Sequence, residues 1–120
     1  MTITVYGIKN CDSVKKARKW FEQHNIAYAF HDFRADGIDH KWIADIAEKA
    51  GWEVLLNKRG TTYRQLSDDV KANIDEQSAL QLMAQNPTLI KRPVVTDGVT
   101  VSVGFNASSF EQSYTSWVKY

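Results

Sequence analysis

The sequence predicts an α/β fold, a mixed four-stranded sheet with helices on its faces and a helical insert between its two halves. Three observations carry this. The first 33 residues read strand, helix, strand, with apolar residues alternating, then recurring at helical spacing, then alternating again. Residues 36–86 carry mostly helical patterning. Beyond them Asp97-Gly98 stands between two β-branched runs, the strongest hairpin signal in the chain, and another helical stretch follows.

Thr2 to Tyr6 places Ile3 and Val5 on one face, and Gly7 ends the run as a turn. From Ser13 the period changes. Val14, Ala17, Phe21 and either Trp20 or His24 fall on one stripe, with Lys15, Lys16, Arg18 and Lys19 mostly outside it. Cys11 therefore belongs to the loop between the first strand and the first helix. Ile26 to Phe33 alternates again, and the helix before it makes this strand parallel to the first. Asp39 is placed to cap the next helix, Ile38 and Ile43 to form a hydrophobic staple, and Gly51 to stop it. Its buried stripe is Trp42, Ile43, Ile46, Ala47 and Ala50.

Leu55-Leu56 leads into the polar loop Asn57-Lys58-Arg59-Gly60-Thr61-Thr62, and Leu66, Val70 and Ile74 suggest a further helical turn or two. Asp75 caps a helix with Ala79, Leu80, Leu82 and Met83 as its apolar residues, and Pro87 fixes its end. Pro93 to Thr96 and Val99 to Val103 flank the Asp-Gly turn, and the last helix carries Phe110, Tyr114, Trp117 and Val118. Strand, helix, strand, helical insert, hairpin and helix make up the thioredoxin layout. One thioredoxin-like domain over residues 1–120 is expected, with 1–35 and 87–120 as its core and 36–86 as the insert.

Composition narrows the function classes. Lys and Arg number 15 against 14 Asp and Glu, a formal net charge of +1, and so near-neutral a balance argues against a nucleic-acid partner. No window approaches the roughly 18 apolar residues of a membrane span, and the alternating N-terminus lacks the pattern of a signal peptide. A cytoplasmic monomer is the expectation. Cys11 is the one cysteine, which excludes an internal disulfide, a zinc site of several thiolates and an unaided two-cysteine redox cycle. His24, His31 and His40 show no ligand spacing to one another or to Cys11. No metal site and no resident cofactor is expected.

Two places carry chemistry. Cys11 precedes a helix start with Lys9, Lys15 and Lys16 near it, and both the helix terminus and the cations favour the reactive thiolate. A lone cysteine is commonly a small buried apolar residue. Here the segment Gly7-Ile8-Lys9-Asn10-Cys11-Asp12-Ser13 is polar loop, at the point where thioredoxin folds keep their nucleophile. Arg92-Pro93 precedes a strand, where an X-Pro step tolerates a cis bond, the alternative being a trans proline that begins an edge strand. The residues alone do not separate the two; the analogy with thioredoxin folds, whose cis-proline faces the catalytic cysteine, makes the cis form facing Cys11 the expectation, with Lys91-Arg92 as an anion anchor. Asn57-Lys58-Arg59-Gly60, taken alone, is a solvated basic loop.

Almost the whole chain resembles the ArsC-like family of glutaredoxin-coupled arsenate reductases, Spx-type regulators and YffB-type proteins, the last being most similar. The resemblance rests on Ile3-Thr4-Val5-Tyr6-Gly7 with Cys11, on Leu55-Leu56-Asn57-Lys58-Arg59, on Pro87 to Val95 through Arg92-Pro93, and on Val103-Gly104-Phe105-Asn106. It implies a thioredoxin-like fold with a helical insert and Cys11 as the catalytic residue. Arsenate reductases hold their oxyanion with three arginines. One matches Arg92; the second matches Asn57, with Arg59 two residues on; the third matches Phe105. The family's histidine four residues before the cysteine is Gly7 here, and its hydroxyl residue three after is Val14, which also removes the Cys-x-x-Cys switch of Spx-type members.

Three functions follow as expectations. The first is a glutathione-dependent thiol-disulfide oxidoreductase that works through Cys11 alone, since a monothiol route is the disulfide chemistry one cysteine permits without a protein thiol partner. Its substrate is glutathione or a glutathionylated disulfide. Lys9, Arg59 and Arg92 would anchor the glutathione carboxylates, Asn10 and Pro93 would line the site, and the Gly104-Phe105-Asn106 turn would offer backbone N–H groups. The second is arsenate reduction of low efficiency, because lost donors weaken oxyanion stabilisation. The third is a protein-binding regulator of Spx type without a redox switch, served by the basic first helix.

Overall fold

The computed structural model describes residues 3–114. Its elements in chain order are β1 (Thr4–Gly7), α1 (Asp12–Gln23), β2 (Ala29–Asp32), α2 (His40–Ala50), α3 (Trp52–Leu55), α4 (Thr61–Arg64), α5 (Asp68–Ala72), α6 (Glu76–Gln85), a 3-10 turn (Pro87–Leu89), β3 (Val94–Thr96), β4 (Val101–Val103) and α7 (Ala107–Tyr114). They form two compact units, one running to Asp36 and resuming at Arg92, the other Gly37–Lys91.

The first unit holds a mixed four-stranded sheet of order β2-β1-β3-β4, so the fold is the expected thioredoxin-like α/β arrangement. β1 runs parallel to β2 and antiparallel to β3, which is antiparallel to β4. Thr2 lies outside the described residues. Gly7, read from the sequence as the turn that follows the strand, is instead the last paired residue of β1, opposite Asp32. β2 is shorter than the alternation predicts, because Ile26 to Tyr28 precede the ladder.

The apolar stripe of α1 is Val14, Ala17, Trp20 and Phe21. Trp20 takes the position the sequence left open between it and His24. His24 instead caps the helix, its ring stacked on Trp20 at 4.1 Å. Ile3, Val5 and Val95 of the sheet side pack with Ala17, Trp20 and Phe21 of α1 and with Phe110 and Tyr114 of α7. Both helices of this unit therefore share one face of the sheet. The rings meet edge to face, Trp20 with Phe110 at 5.4 Å and Phe21 with Tyr114 at 5.3 Å, the geometry that aromatic quadrupoles favour. Trp117 and Val118 lie outside the described residues.

The hairpin is real, but its loop is longer than a two-residue Asp-Gly turn. Thr96 pairs with Val101, leaving Asp97 to Thr100 between the strands. The Asp97 carboxylate accepts from the N–H groups of Val99 and Thr100 at 2.9 and 2.7 Å, and Gly98 takes φ 98°, a conformation open to glycine. Asp97 thus spends its side chain inside the loop, and the strands begin beyond it.

In the second unit Asp39 caps α2 by accepting the Trp42 N–H, and Ile43, Ile46 and Ala47 face inward. Asp75 and Ser78 form a reciprocal capping box at α6, whose buried residues are Ala79 and Met83; Leu80 and Leu82 are half-buried. The Leu66, Val70, Ile74 stripe does not form one helix. The chain makes two short helices there, Ser67 caps the second, and Val70 is exposed. Leu56 bridges Ile90, with Asn57 N–H donating to Leu89 O at 2.7 Å and Lys91 N–H to Leu55 O at 2.8 Å. Two sequence-distant motifs, Leu55-Leu56-Asn57 and Leu89-Ile90-Lys91, are thereby laid side by side. No helix among the described residues is long and apolar enough to cross a membrane.

Candidate active site

Strand direction decides what gathers at one end of the sheet. The carboxyl ends of β1 and β2 and the amino end of β3 meet there, since Tyr6 pairs with Val94 and Gly7 with Asp32. Pro93 immediately precedes Val94, and the Cys11 loop leaves from Gly7. The end of β4 joins them through the Gly104 N–H, which donates to Pro93 O at 2.8 Å. Gly104 adopts φ 84°, which turns the chain toward α7. The sheet register alone thus brings the Cys11 loop, Arg92-Pro93 and the Gly104-Phe105-Asn106 turn to one edge.

Cys11 closes a tight turn. Its N–H donates to Ile8 O at 3.1 Å, and its own carbonyl accepts from the Lys15 N–H at 3.0 Å. It is the N-cap of α1, with φ −85° and ψ 128°, and its side chain makes no capping hydrogen bond. That side chain stands where Ser or Asp would accept the first-turn N–H groups, the place on a helix that suits an anion. Cys11 is half-buried, whereas Lys9 and Asn10 before it are exposed.

Asp32 holds this loop in place, a role the sequence reading missed. One carboxylate oxygen accepts from the Lys9 N–H at 3.2 Å; the other accepts from Arg34 and Ala35 at 2.7 and 3.1 Å. These bonds keep its carboxyl below its ordinary value, the Ala35 amide first, then that of Arg34, with the Lys9 amide contributing further. Sequence marks backbone amides with no residue type, so only the strand-end aspartate itself was a signal.

The Arg92-Pro93 bond is cis, as the analogy with thioredoxin folds predicts. Pro93 is buried and Arg92 half-buried. The Arg92 Nε lies buried and takes no hydrogen bond there, while other interactions tie the residue down. Asn106 is exposed and caps α7, its side-chain oxygen accepting the Ser109 N–H at 3.1 Å. Phe105, which the resemblance sets at the third arginine of arsenate reductases, packs against Phe110 with ring centroids 5.0 Å apart and is an apolar contact. Arg59 belongs to the second unit. It is exposed, and its N–H donates to the Asn57 side chain at 3.2 Å. Asn57, at the second arginine position, therefore braces its own loop.

Residues 6–113 match the model of the ArsC family. An uncharacterised protein of Haemophilus influenzae is 47% identical over 112 residues, covering 93% of this chain and 98% of that one. The transcriptional regulator Spx of Streptococcus agalactiae is 27% identical, covering 87% of this chain and 77% of its own. Among solved structures, one titled YFFB protein superposes with a TM-score of 0.89 at 43% identity, covering 93% of this chain and 98% of that one. An arsenate reductase related protein of Brucella melitensis reaches a TM-score of 0.78 at 44% identity and covers 95% of both chains.

Proposed function

The chain belongs to the ArsC family, and from that premise we propose that it is a thiol-disulfide oxidoreductase with Cys11 as sole nucleophile and glutathione as partner thiol. The observation that carries the reading is Cys11, half-buried at the N-cap of α1 with a side chain that makes no capping bond, at the sheet end where Pro93 precedes β3.

The Cys11 thiolate attacks the glutathione sulfur of a glutathionylated substrate. A sulfur–sulfur bond forms to Cys11, the original disulfide breaks, and the substrate leaves as a thiolate that takes up a proton. A second glutathione thiolate then attacks the Cys11 adduct, releasing oxidised glutathione and restoring the Cys11 thiolate. Net, the substrate sulfur is reduced to a thiol and one free glutathione is oxidised, pairing with the glutathionyl group that the substrate carried. Glutathione spreads two carboxylates over a tripeptide, so Arg92 and Lys9 serve as separate anchors, with Asn10 next to Cys11 in the chain, Pro93 lining the site, and the turn at Asn106 offering backbone donors.

Mass spectrometry after incubation with oxidised glutathione tests this. A mixed disulfide on Cys11, absent in Cys11→Ser, supports the reading. Persistent inertness of Cys11 overturns it and favours a protein-binding regulator, the alternative that the Spx relative brings. For that alternative α1 offers fewer free cations than its sequence suggests, because Arg18 lies 4.2 Å over the Phe30 ring and donates to Tyr28 Oη.

A further inference from the structure

We infer that Asp32 is a positioning residue for Cys11, holding the turn that sets the thiol at the start of α1 by gripping the Lys9 amide. The inference rests on the reading of Cys11 as nucleophile, and it adds a residue from a different strand to the machinery.

Three features separate this carboxylate from an ordinary strand-end residue. Aspartate is disfavoured in strands, yet it closes β2 directly opposite Gly7, the residue from which the Cys11 loop departs. Main-chain pairing already joins the two segments there, with Phe33 N–H donating to Gly7 O at 2.8 Å, so β2 needs no side chain for its own register. The Asp32 side chain instead bridges two loops, reaching Lys9 through one oxygen and Arg34 and Ala35 through the other. The second loop is itself closed back on Asp32. Asp36 N–H donates to Asp32 O at 2.8 Å, and the Asp36 carboxylate accepts the Asp32 N–H at 3.0 Å. Asp32 is thus a fixed post, and Lys9 is bonded to it.

Lys9 is an inner residue of the turn that ends with the Cys11 N–H on Ile8 O, two residues before the thiol. Freeing its amide loosens the turn and lets the cysteine leave its N-cap position at the start of α1. Asp32 touches no substrate in this scheme. Its effect passes through the backbone.

The test is Cys11 alkylation by iodoacetamide at pH 7, without glutathione, in Asp32→Ala, Asp32→Asn and the control Asp75→Ala, together with amide hydrogen exchange. Losing a charge-assisted hydrogen bond should slow alkylation by Asp32→Ala roughly tenfold. The Lys9 amide should lose protection while Val5 and Phe21 keep theirs. Asp32→Asn should recover part of the rate, since its amide oxygen accepts the same bond without the charge. Removing a carboxylate near a thiol would by itself favour the thiolate and speed alkylation, so slowing distinguishes positioning from charge.

An unchanged or faster rate in Asp32→Ala overturns the inference. So does equal slowing in Asp75→Ala, or protection lost throughout β1 and α1, because then the carboxylate would serve only general stability. None of these readouts involves glutathione. A wild-type protein that forms no mixed disulfide would refute the proposed substrate and leave this test standing.

Discussion

Gly7 and Val14 occupy one space between β1 and α1. A Cβ built on Gly7 would stand 2.5 Å from Cγ2 of Val14, well inside van der Waals contact. By the resemblance to arsenate reductases these two positions would carry a histidine and a hydroxyl residue, so on that correspondence the departures are a matched pair. The valine fills the room that the glycine leaves. Val14 is fully buried, which denies it an easy retreat.

Gly7→Ala should therefore destabilise the protein by about 1–3 kcal/mol through overpacking. Val14→Ala should cost roughly 2 kcal/mol through the cavity it leaves. The double variant should cost clearly less than the sum, because the smaller residue at 14 makes room for the new methyl. Urea unfolding of the four proteins of this cycle gives the coupling. Additivity within about 0.5 kcal/mol would show that Val14 does not dictate the glycine.

Tyr114 ends the described part of α7 with its ring fully buried and its hydroxyl 2.7 Å from Ser102 Oγ. Burial raises its phenol above the ordinary value, the Ser102 bond opposes that, and the Asp97 charge adds to it. The folded phenol therefore ionises later than the unfolded one. Stability from this group is fully present below about pH 10 and is lost as pH rises through the raised folded value. Tyr114→Phe should cost about 1 kcal/mol at neutral pH and should flatten the alkaline fall in stability. Thermal unfolding between neutral and strongly alkaline pH checks both. An equally steep fall in the variant would assign it to other groups.

Acid stability should depend on two aspartates in different units. Asp32 is held below its ordinary value chiefly by the Ala35 and Arg34 amides, and Asp75 by the Ser78 amide and hydroxyl. For each, the folded form ionises at lower pH than the unfolded form. The stabilisation is present above the unfolded value near 4 and disappears as pH falls through the folded values. The Asp32→Asn, Asp75→Asn double variant should show a shallower loss of stability than wild type between about pH 5 and pH 2.5. Urea midpoints across that range decide it, and parallel curves would count against both residues.

How far these relationships could be read from sequence depends on which groups make them. The sheet, α1, α2 and α6 were visible because apolar side chains report their own burial through spacing, and Asp39 and Asp75 announced their helices because caps use particular side chains. Val70 misled because three apolar residues at helical spacing do not reveal that the chain breaks between them. Asp97-Gly98 marked a hairpin but not its length, since the aspartate's bonds to Val99 and Thr100 widen the loop. Cys11 and Arg92-Pro93 stood out as residue types with few structural uses in a polar loop and before a strand. Asp32 did not, because its partners are backbone amides that any sequence supplies. The Gly7–Val14 contact was equally hidden, as it joins two elements through a space rather than through a motif.

On the proposed reading, anion recognition separates this chain from arsenate reductases. A compact oxyanion needs several donors converging on one point, and Phe105 gives its place to a ring contact with Phe110 while Asn57 is engaged in its own loop. A tripeptide thiol spreads its charge, so each carboxylate can be held by a separate cation. Arg92→Ala should lower kcat/KM for glutathione-dependent turnover roughly tenfold, the loss of a charge-assisted hydrogen bond. The sequence expectation that Arg59 holds the same ligand gives Arg59→Ala a loss of similar size, and wild-type kinetics there would remove it from the site. Phe105→Arg should raise arsenate turnover per folded molecule, although it gives up the Phe110 contact and some stability. Steady-state assays with both substrates measure all three. Robust arsenate turnover by the unmodified protein, untouched by either alanine substitution, would replace the glutathione reading with an oxyanion site built from other donors.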